Sequence, residues 1–132
     1  MTSLNFKISE LIHSDTAIMK NINNMPDINA LDCMLDLIVC CLQPIREKFK
    51  MPMIITSGYR CPEVNKLVGG AVNSQHLKGQ AADFVIKNYT PAQTVEKIKS
   101  FNIEFDQLIN EYDRWVHISF NKGNNRKQVL KY

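Results

Sequence analysis

The stretch "NSQHLKGQAADF", residues 73–84, combines two polar side chains that can bind a metal with small residues. His76 and Asp83 lie seven residues apart, Gly79 lies between them, and two alanines directly precede the aspartate. The apolar residues that follow make "QAADFVI" a predicted strand over residues 81–86. A carboxylate next to such a strand is costly to bury without a partner. The stretch therefore predicts a site on a loop-to-strand passage, in which Gly79 would let the chain turn.

The remaining patterns predict an α+β domain with a small antiparallel sheet packed with helices. Apolar residues at helical spacing predict a long helix from Asp27 to about Phe49, which Pro44 could kink. Shorter helices are predicted near residues 9–12, after Pro62 and over residues 91–100, where Thr90, Pro91 and Gln93 form a capping-box pattern. "MIIT", residues 53–56, predicts a buried strand. His13 has no companions, and we expect it to be structural.

The segments "FDQLINE" and "WVHISF" alternate between apolar and polar residues and predict a β-hairpin. In the second segment His117 shares a face with Trp115, whereas the opposite face is uniformly apolar. A three-residue loop, 112–114, would make Glu111 oppose Trp115 and lie diagonally next to His117, about 7–8 Å away backbone to backbone. A four-residue loop would place Glu111 and His117 on opposite faces.

His76, Asp83 and His117 together supply two imidazole nitrogens and one carboxylate. Three such ligands without a thiolate suit a catalytic Zn²⁺ with an open position for water, which the ion acidifies. Glu111 could take the proton of the water and pass it to a leaving amine. Arg60 in "SGYR" could bind a substrate carboxylate or the developing oxyanion. Each residue taken alone also fits an ordinary structural role, so spacing leaves both interpretations open.

Composition limits the class of protein. The 132 residues, 45% of them hydrophobic, are typical of one compact globular domain. The cysteines lack CxxC spacing, so we expect buried reduced thiols at Cys33, Cys40, Cys41 and Cys61. The opening "MTSLNFKISE" does not resemble a signal peptide, and no apolar run approaches the roughly 20 residues that a membrane helix needs. We expect a monomer that is cytoplasmic at synthesis and has no membrane partner.

Two segments, "TSGYRCPEVNKLVGGAVNSQHLKGQAADF" and "FDQLINEYDRWVHISF", resemble the M15 peptidases, which are zinc D-Ala-D-Ala carboxypeptidases and related endolysins. The branch that looks most similar comprises short M15 proteins of bacteria and phages. The signature SxHxxGxAxD is matched at every position, by Ser74, His76, Gly79, Ala81 and Asp83. The resemblance covers about residues 5–120 of a single domain, 1–132.

The remaining residues, 121–132, form a tail with four of the 16 basic residues of the chain and none of its 13 acidic residues. We expect this tail to be solvated. Contact with an anionic polymer is the alternative, although we expect no nucleic-acid partner.

The resemblance implies a small α+β domain, shared with the hedgehog signalling domain, around one zinc ion. It implies His76, Asp83 and His117 as zinc ligands and Arg60 as the substrate-facing arginine. We also expect three further residues, Ser74, Gln75 and Trp115, to contact the substrate.

The same resemblance bears on the catalytic base. Many carboxypeptidase members place an acid three residues before the last histidine, where this chain has Arg114. The hedgehog-like arrangement, with a glutamate six residues before that histidine, is matched by Glu111. We therefore predict Glu111 as the base, with Asp113 as the alternative.

These residues lead to a functional hypothesis. We expect a zinc metallopeptidase that hydrolyses an amide bond in peptidoglycan stem peptides, as a D-Ala-D-Ala carboxypeptidase or an endolysin-type endopeptidase. Such a protein would reach the cell wall after lysis, as a prophage endolysin does, or by another export route. The alternative is a non-catalytic, zinc-stabilised module that binds cell wall or a protein partner.

Overall fold

The computed structural model describes residues 4–132, and its helices and five-stranded sheet confirm the predicted α+β class. The helices are α1 (Ile8–Ile12), α2 (Asp15–Lys20), α3 (Ile28–Phe49), α4 (Pro62–Leu67) and α5 (Pro91–Lys99). A 3₁₀ turn spans Gln75–Lys78. The strands are β1 (Met53–Ser57), β2 (Ala81–Ile86), β3 (Gln107–Glu111), β4 (Trp115–Ser119) and β5 (Gln128–Lys131).

The strands lie in the order β1-β2-β4-β3-β5, antiparallel except for the parallel pair β3 and β5. In the β3–β4 hairpin Glu111 is paired with Trp115, and Ile109 is paired with His117. This register confirms the three-residue loop. Since side chains alternate along a strand, Glu111 and His117 therefore lie on the same face of the sheet.

The long helix α3 is confirmed, and it passes through a π turn at Ile38–Leu42. Pro44 follows that turn by two residues. A proline at this position has no N–H for the carbonyl four residues earlier, and its ring would crowd that carbonyl. The wider turn lets the helix continue past Pro44 to Phe49.

One stripe of α3 is buried in the core, on the face of the sheet opposite His117. The stripe consists of Ala30, Met34, Leu37, Ile38, Cys41, Leu42, Ile45 and Phe49, and it packs with Phe84, Val116 and Ile118. By length and composition this 22-residue helix could cross a membrane, contrary to the expectation that no segment approaches that size. Its buried stripe is equally typical of a core helix in a globular domain.

Most of the shorter predicted elements are confirmed, but β1 is not the buried strand that was expected, since Ile54 is exposed. The hydroxyl of Thr90 accepts a hydrogen bond from the N–H of Gln93, and the Gln93 side chain accepts one from the N–H of Thr90, so the capping box at the start of α5 is present. Helix α2, capped by Ser14, was not predicted. Cys41 and Cys61 are buried free thiols as expected, whereas Cys33 and Cys40 are partly exposed.

The C-terminal segment differs from the predicted solvated tail. Residues Gln128–Lys131 form β5, which pairs with the outer edge of β3. Arg126, just before it, forms an ion pair with the buried carboxylate of Asp106. A strand of four residues shows too little alternation of polar and apolar side chains to be predicted from the sequence. It forms because the open edge of β3 offers unpaired backbone groups.

Candidate metal centre

The sheet and one adjacent turn bring the three predicted ligands together. Asp83 on β2 is paired directly with His117 on β4. His76 comes from the 3₁₀ turn next to the sheet. All three side chains are buried, and one ligand atom from each lies within 4.8 Å of the others. We call these residues the His76–Asp83–His117 cluster.

His76 is oriented by a main-chain contact on its far side. Its Nδ1 lies 2.7 Å from the carbonyl oxygen of Gly58, so Nδ1 is the protonated donor. The other nitrogen, Nε2, then directs its lone pair at Asp83, whose Oδ1 is 3.3 Å away. Two acceptors facing each other across this distance favour a cation between them.

Gly58 is needed for this arrangement because Leu11 of α1 crosses directly over it. A Cβ at position 58 would overlap the main chain of Leu11. The crossing is held by a hydrogen bond of 2.7 Å from the N–H of Tyr59 to the carbonyl of Leu11. The carbonyl of Gly58 is thereby held where it accepts from His76.

The carboxylate of Asp83 is the centre of the cluster. Its Oδ1 lies 2.9 Å from Nδ1 of His117 as well as 3.3 Å from Nε2 of His76. Burial by itself would raise the pKa of Asp83, but the neighbouring imidazoles of His117 and His76 outweigh burial and hold that pKa well below its usual range. Asp83 is therefore an anion at neutral pH, as a metal ligand must be.

The donor set fits a zinc ion. Two nitrogens and one carboxylate oxygen are common zinc ligands, and three protein ligands leave a position open for water or substrate. Ligands about 2.0–2.1 Å from a tetrahedral zinc lie roughly 3.4 Å apart. The separation of 3.3 Å between His76 Nε2 and Asp83 Oδ1 agrees with this value, whereas the 2.9 Å between His117 Nδ1 and the same oxygen is shorter.

Arg60 lies beside the cluster and is held by three side chains. Its Nε donates to Ser57 Oγ at 3.1 Å and its Nη1 to Asn65 Oδ1 at 3.3 Å. Its Nη2 lies 3.5 Å from Asp83 Oδ2, the oxygen that does not contact the histidines. The guanidinium has five N–H groups, so this anchoring leaves some of them for a ligand in the adjacent cleft.

The two candidate bases occupy different environments. Glu111 is partly buried, and its Oε1 lies 3.9 Å from Nδ1 of His117. Burial and then the negative charge of Asp83 raise the pKa of Glu111. Asp113 is exposed and accepts a hydrogen bond from the N–H of Ala92 at the start of α5. The structure thus brings Glu111 to the cluster and assigns Asp113 to a helix terminus.

A cleft of about 430 Å³ opens next to the cluster, a size that suits a small ligand. Asp83, Arg60 and Trp115 line it together with residues 13–16. The indole Nε1 of Trp115 is buried without a hydrogen-bond partner among the described residues.

The expectation that His13 has no companions is wrong. Its Nε2 lies 2.9 Å from Asp15 Oδ1, and both residues line the cleft. The sequence offered one signal, since Ser14 directly before "DTA" is a typical helix N-cap. That signal predicts a helix start, not a position in the cleft.

The remaining predicted residues flank His76 but point elsewhere. Ser74 caps the 3₁₀ turn, and its Oγ accepts from the N–H of His76 at 3.2 Å. The amide of Gln75 donates to Asp106 Oδ2 at 2.8 Å. Gln75 lines a second, polar depression, and the structure does not bring it to the cleft at Arg60.

Comparison with known proteins adds one finding to this geometry. A search among curated proteins returned no match. The protein-family model described as Peptidase M15 matches residues 4–119, which include Arg60, the cluster and Glu111. Members of that family are metal-dependent peptidases, in agreement with the His76–Asp83–His117 cluster. The match covers most of the chain, and the protein therefore belongs to the peptidase M15 family.

Proposed function

We propose that this protein is a zinc metallopeptidase that hydrolyses an amide bond in the stem peptides of peptidoglycan. The observation that supports it best is the buried His76–Asp83–His117 cluster at the edge of a cleft, with the carboxylate of Glu111 3.9 Å from His117. A ligand set and a separate carboxylate at this distance are the parts that metal-assisted hydrolysis requires.

His76, Asp83 and His117 would hold the ion. When bound, zinc supplies Lewis acidity, which polarises an amide carbonyl and acidifies a water molecule. Glu111 has no hydrogen-bond partner that would occupy its carboxylate among the described residues, and it is close to His117. Its carboxylate would accept the proton of the attacking water and then donate that proton to the leaving amine. A raised pKa suits a group that must both take and return a proton.

Arg60 supports the choice of substrate. Its guanidinium is fixed by Ser57, Asn65 and Asp83, and it lines the cleft. A fixed guanidinium binds carboxylates and developing oxyanions better than a mobile one. Stem peptides carry free carboxylates and D-amino acids, and the resemblance to D-Ala-D-Ala carboxypeptidases and endolysins points to the same substrates. An endolysin role would have the protein reach the wall after lysis.

The proposal is tested by incubating the zinc-loaded protein with purified peptidoglycan fragments and analysing the products by mass spectrometry. Loss of a terminal D-alanine identifies a carboxypeptidase, and an internal cut identifies an endopeptidase. The metal-free protein is the matched control. Intact fragments with zinc bound would overturn the proposal.

That outcome would favour a second candidate, a zinc-stabilised module that binds cell wall or a protein. The observation behind it is Arg114, which replaces the acid of many carboxypeptidases and lies exposed in the β3–β4 turn. A sedimentation assay with insoluble peptidoglycan distinguishes binding without cleavage from the enzyme.

A further inference from the structure

We infer that Asp106 and Arg126 are positioning residues for the metal centre, because they connect the C-terminal segment to the turn that holds His76. This inference rests on the proposed metal site but concerns residues outside it. The family model ends at residue 119, so Arg126 and β5 lie beyond the matched region.

Asp106 is almost completely buried, at 1% exposure. Its carboxylate accepts hydrogen bonds from two residues, Arg126 and Gln75. Oδ1 accepts from the main-chain N–H and from Nε of Arg126, both at 2.9 Å. Oδ2 accepts from Nη2 of Arg126 at 2.9 Å and from Nε2 of Gln75 at 2.8 Å. One carboxylate therefore joins the C-terminal segment to the residue next to His76.

The carboxylate itself is fixed by the sheet. The N–H of Asp106 donates to the carbonyl of Ser119 at the end of β4, and its carbonyl accepts from the N–H of Gln128 at the start of β5. Formation of β5 thus places Arg126 against Asp106. The bidentate Arg126 pair in turn orients Oδ2 for Gln75, since a fork of two parallel N–H groups restricts the carboxylate plane.

The turn at His76 is held from two sides. On the side of the cleft, the N–H of Arg60 donates to the carbonyl of His76 at 3.1 Å, and the carbonyl of Gly58 accepts from the ring. On the opposite side, the amide of the Gln75 side chain donates a hydrogen bond to the carboxylate of Asp106. Removal of that contact frees the turn from Asp106, while its contacts with Arg60, Gly58 and α3 remain. Outer partners of metal ligands typically contribute 10–100-fold in metal affinity, and we expect an effect at the lower end of that range.

The experiment compares zinc affinity, measured by calorimetry, in the full-length protein and three variants. Gln75→Ala removes the contact at the turn, and Arg126→Met removes the fork from Asp106. Lys122→Met is the matched control, because it removes one positive charge from the same exposed segment. We expect zinc to bind about tenfold more weakly in the first two variants and within about twofold of wild type in the control.

A double variant separates positioning from general stability. If both residues act through one chain of contacts, Gln75→Ala with Arg126→Met should weaken zinc binding about tenfold, not a hundredfold. A loss of zinc affinity of about a hundredfold, the product of two independent effects, would overturn the inference. Unchanged zinc affinity in both single variants, with only a lower free energy of unfolding, would overturn it as well.

Amide hydrogen exchange of the metal-free protein makes the test independent of the proposed function. The inference predicts that amides of residues 76–80 exchange about tenfold faster in Gln75→Ala and in Arg126→Met than in wild type. Wild-type rates in both variants would overturn it. Absence of zinc binding by the wild-type protein would contradict the proposed function, whereas the exchange rates would still decide the role of Asp106 and Arg126.

Discussion

Asp83 and His117 face each other directly across β2 and β4, and Asp83 Oδ1 lies 2.9 Å from His117 Nδ1. The same oxygen lies 3.3 Å from Nε2 of His76, which comes from outside the sheet. One buried carboxylate oxygen therefore contacts the imidazoles of both His76 and His117. Because the sheet fixes two of the three side chains, we expect that binding of an ion would require little rearrangement of the backbone.

Replacement of this carboxylate should strongly weaken metal binding. In Asp83→Asn a neutral amide takes the place of the anion, so we expect zinc affinity to fall on the order of a hundredfold or more. Titration calorimetry measures the change. Asp113→Asn is the control, because Asp113 is exposed and bonded to the start of α5. Equal zinc affinity of Asp83→Asn and wild type would exclude Asp83 as a ligand.

The choice between the two candidate bases leads to a second prediction. Glu111→Gln should retain zinc and lose hydrolysis by about 10²–10⁴-fold, because the amide cannot accept the proton. Asp113→Asn should keep the rate within about twofold of wild type, since its carboxylate contacts Ala92. Rates of release from a muropeptide, measured at saturating zinc, test both variants. The opposite pattern would assign the base to Asp113.

Substitution of Gly79 should disturb the turn that holds His76. Gly79 has φ +72°, and a Cβ there would overlap the carbonyl oxygen of Ala30 in α3. Gly123 has a similar φ of +78° with no atom within 4 Å of the added Cβ. Gly123→Ala should therefore cost only the backbone strain, about 1 kcal/mol, and Gly79→Ala clearly more, about 3 kcal/mol.

Urea unfolding of the two glycine variants measures the difference. Gly79→Ala should also bind zinc more weakly, whereas Gly123→Ala should bind it like wild type. Equal destabilisation of both variants would show that α3 does not restrict the turn.

The ion pair of Asp106 predicts a pH dependence of stability. Hydrogen bonds from Arg126 lower the pKa of Asp106 from its usual 3.8 to about 2, against the opposing effect of burial. Because the folded-state pKa is the lower one, the contribution is fully present above about pH 4 and is lost as the pH falls towards 2. A difference of this size corresponds to about 2 kcal/mol.

Denaturant unfolding of wild type and Asp106→Asn, at pH values from 6 down to 2.5, tests this sign. The difference between their free energies of unfolding should shrink through the acidic part of the range. A difference that stays constant with pH would mean that ionisation of Asp106 does not contribute.

The anchoring of Arg60 predicts that lysine cannot replace it. Lysine has one ammonium group, which cannot reach Ser57, Asn65 and Asp83 together as the planar guanidinium does. We expect Arg60→Lys to lower kcat/KM at least about tenfold with zinc affinity changed far less. Arg114→Lys, in the exposed turn, should leave kcat/KM nearly unchanged. A similar loss in both variants would argue against a specific role for Arg60.

The sequence by itself determined the features that depend on local periodicity and chemistry. The alternation in "WVHISF" placed His117 on the polar face, and the spacing in "NSQHLKGQAADF" placed His76 and Asp83 around a turn at Gly79. Helix α3 and the cap of α5 follow from the same kind of signal, because helical and strand periodicities depend on residues that are close together in the sequence.

Only the tertiary structure decided the contacts between distant segments. The hairpin register brought Glu111 to His117, and the packing of α1 and α2 placed His13 and Asp15 in the cleft that Arg60 also lines. The pairing of β5 with β3 brought Arg126 to Asp106 and, through Gln75, to the turn at His76. Such contacts depend on which edges and faces remain open after the sheet forms, and no local pattern records that.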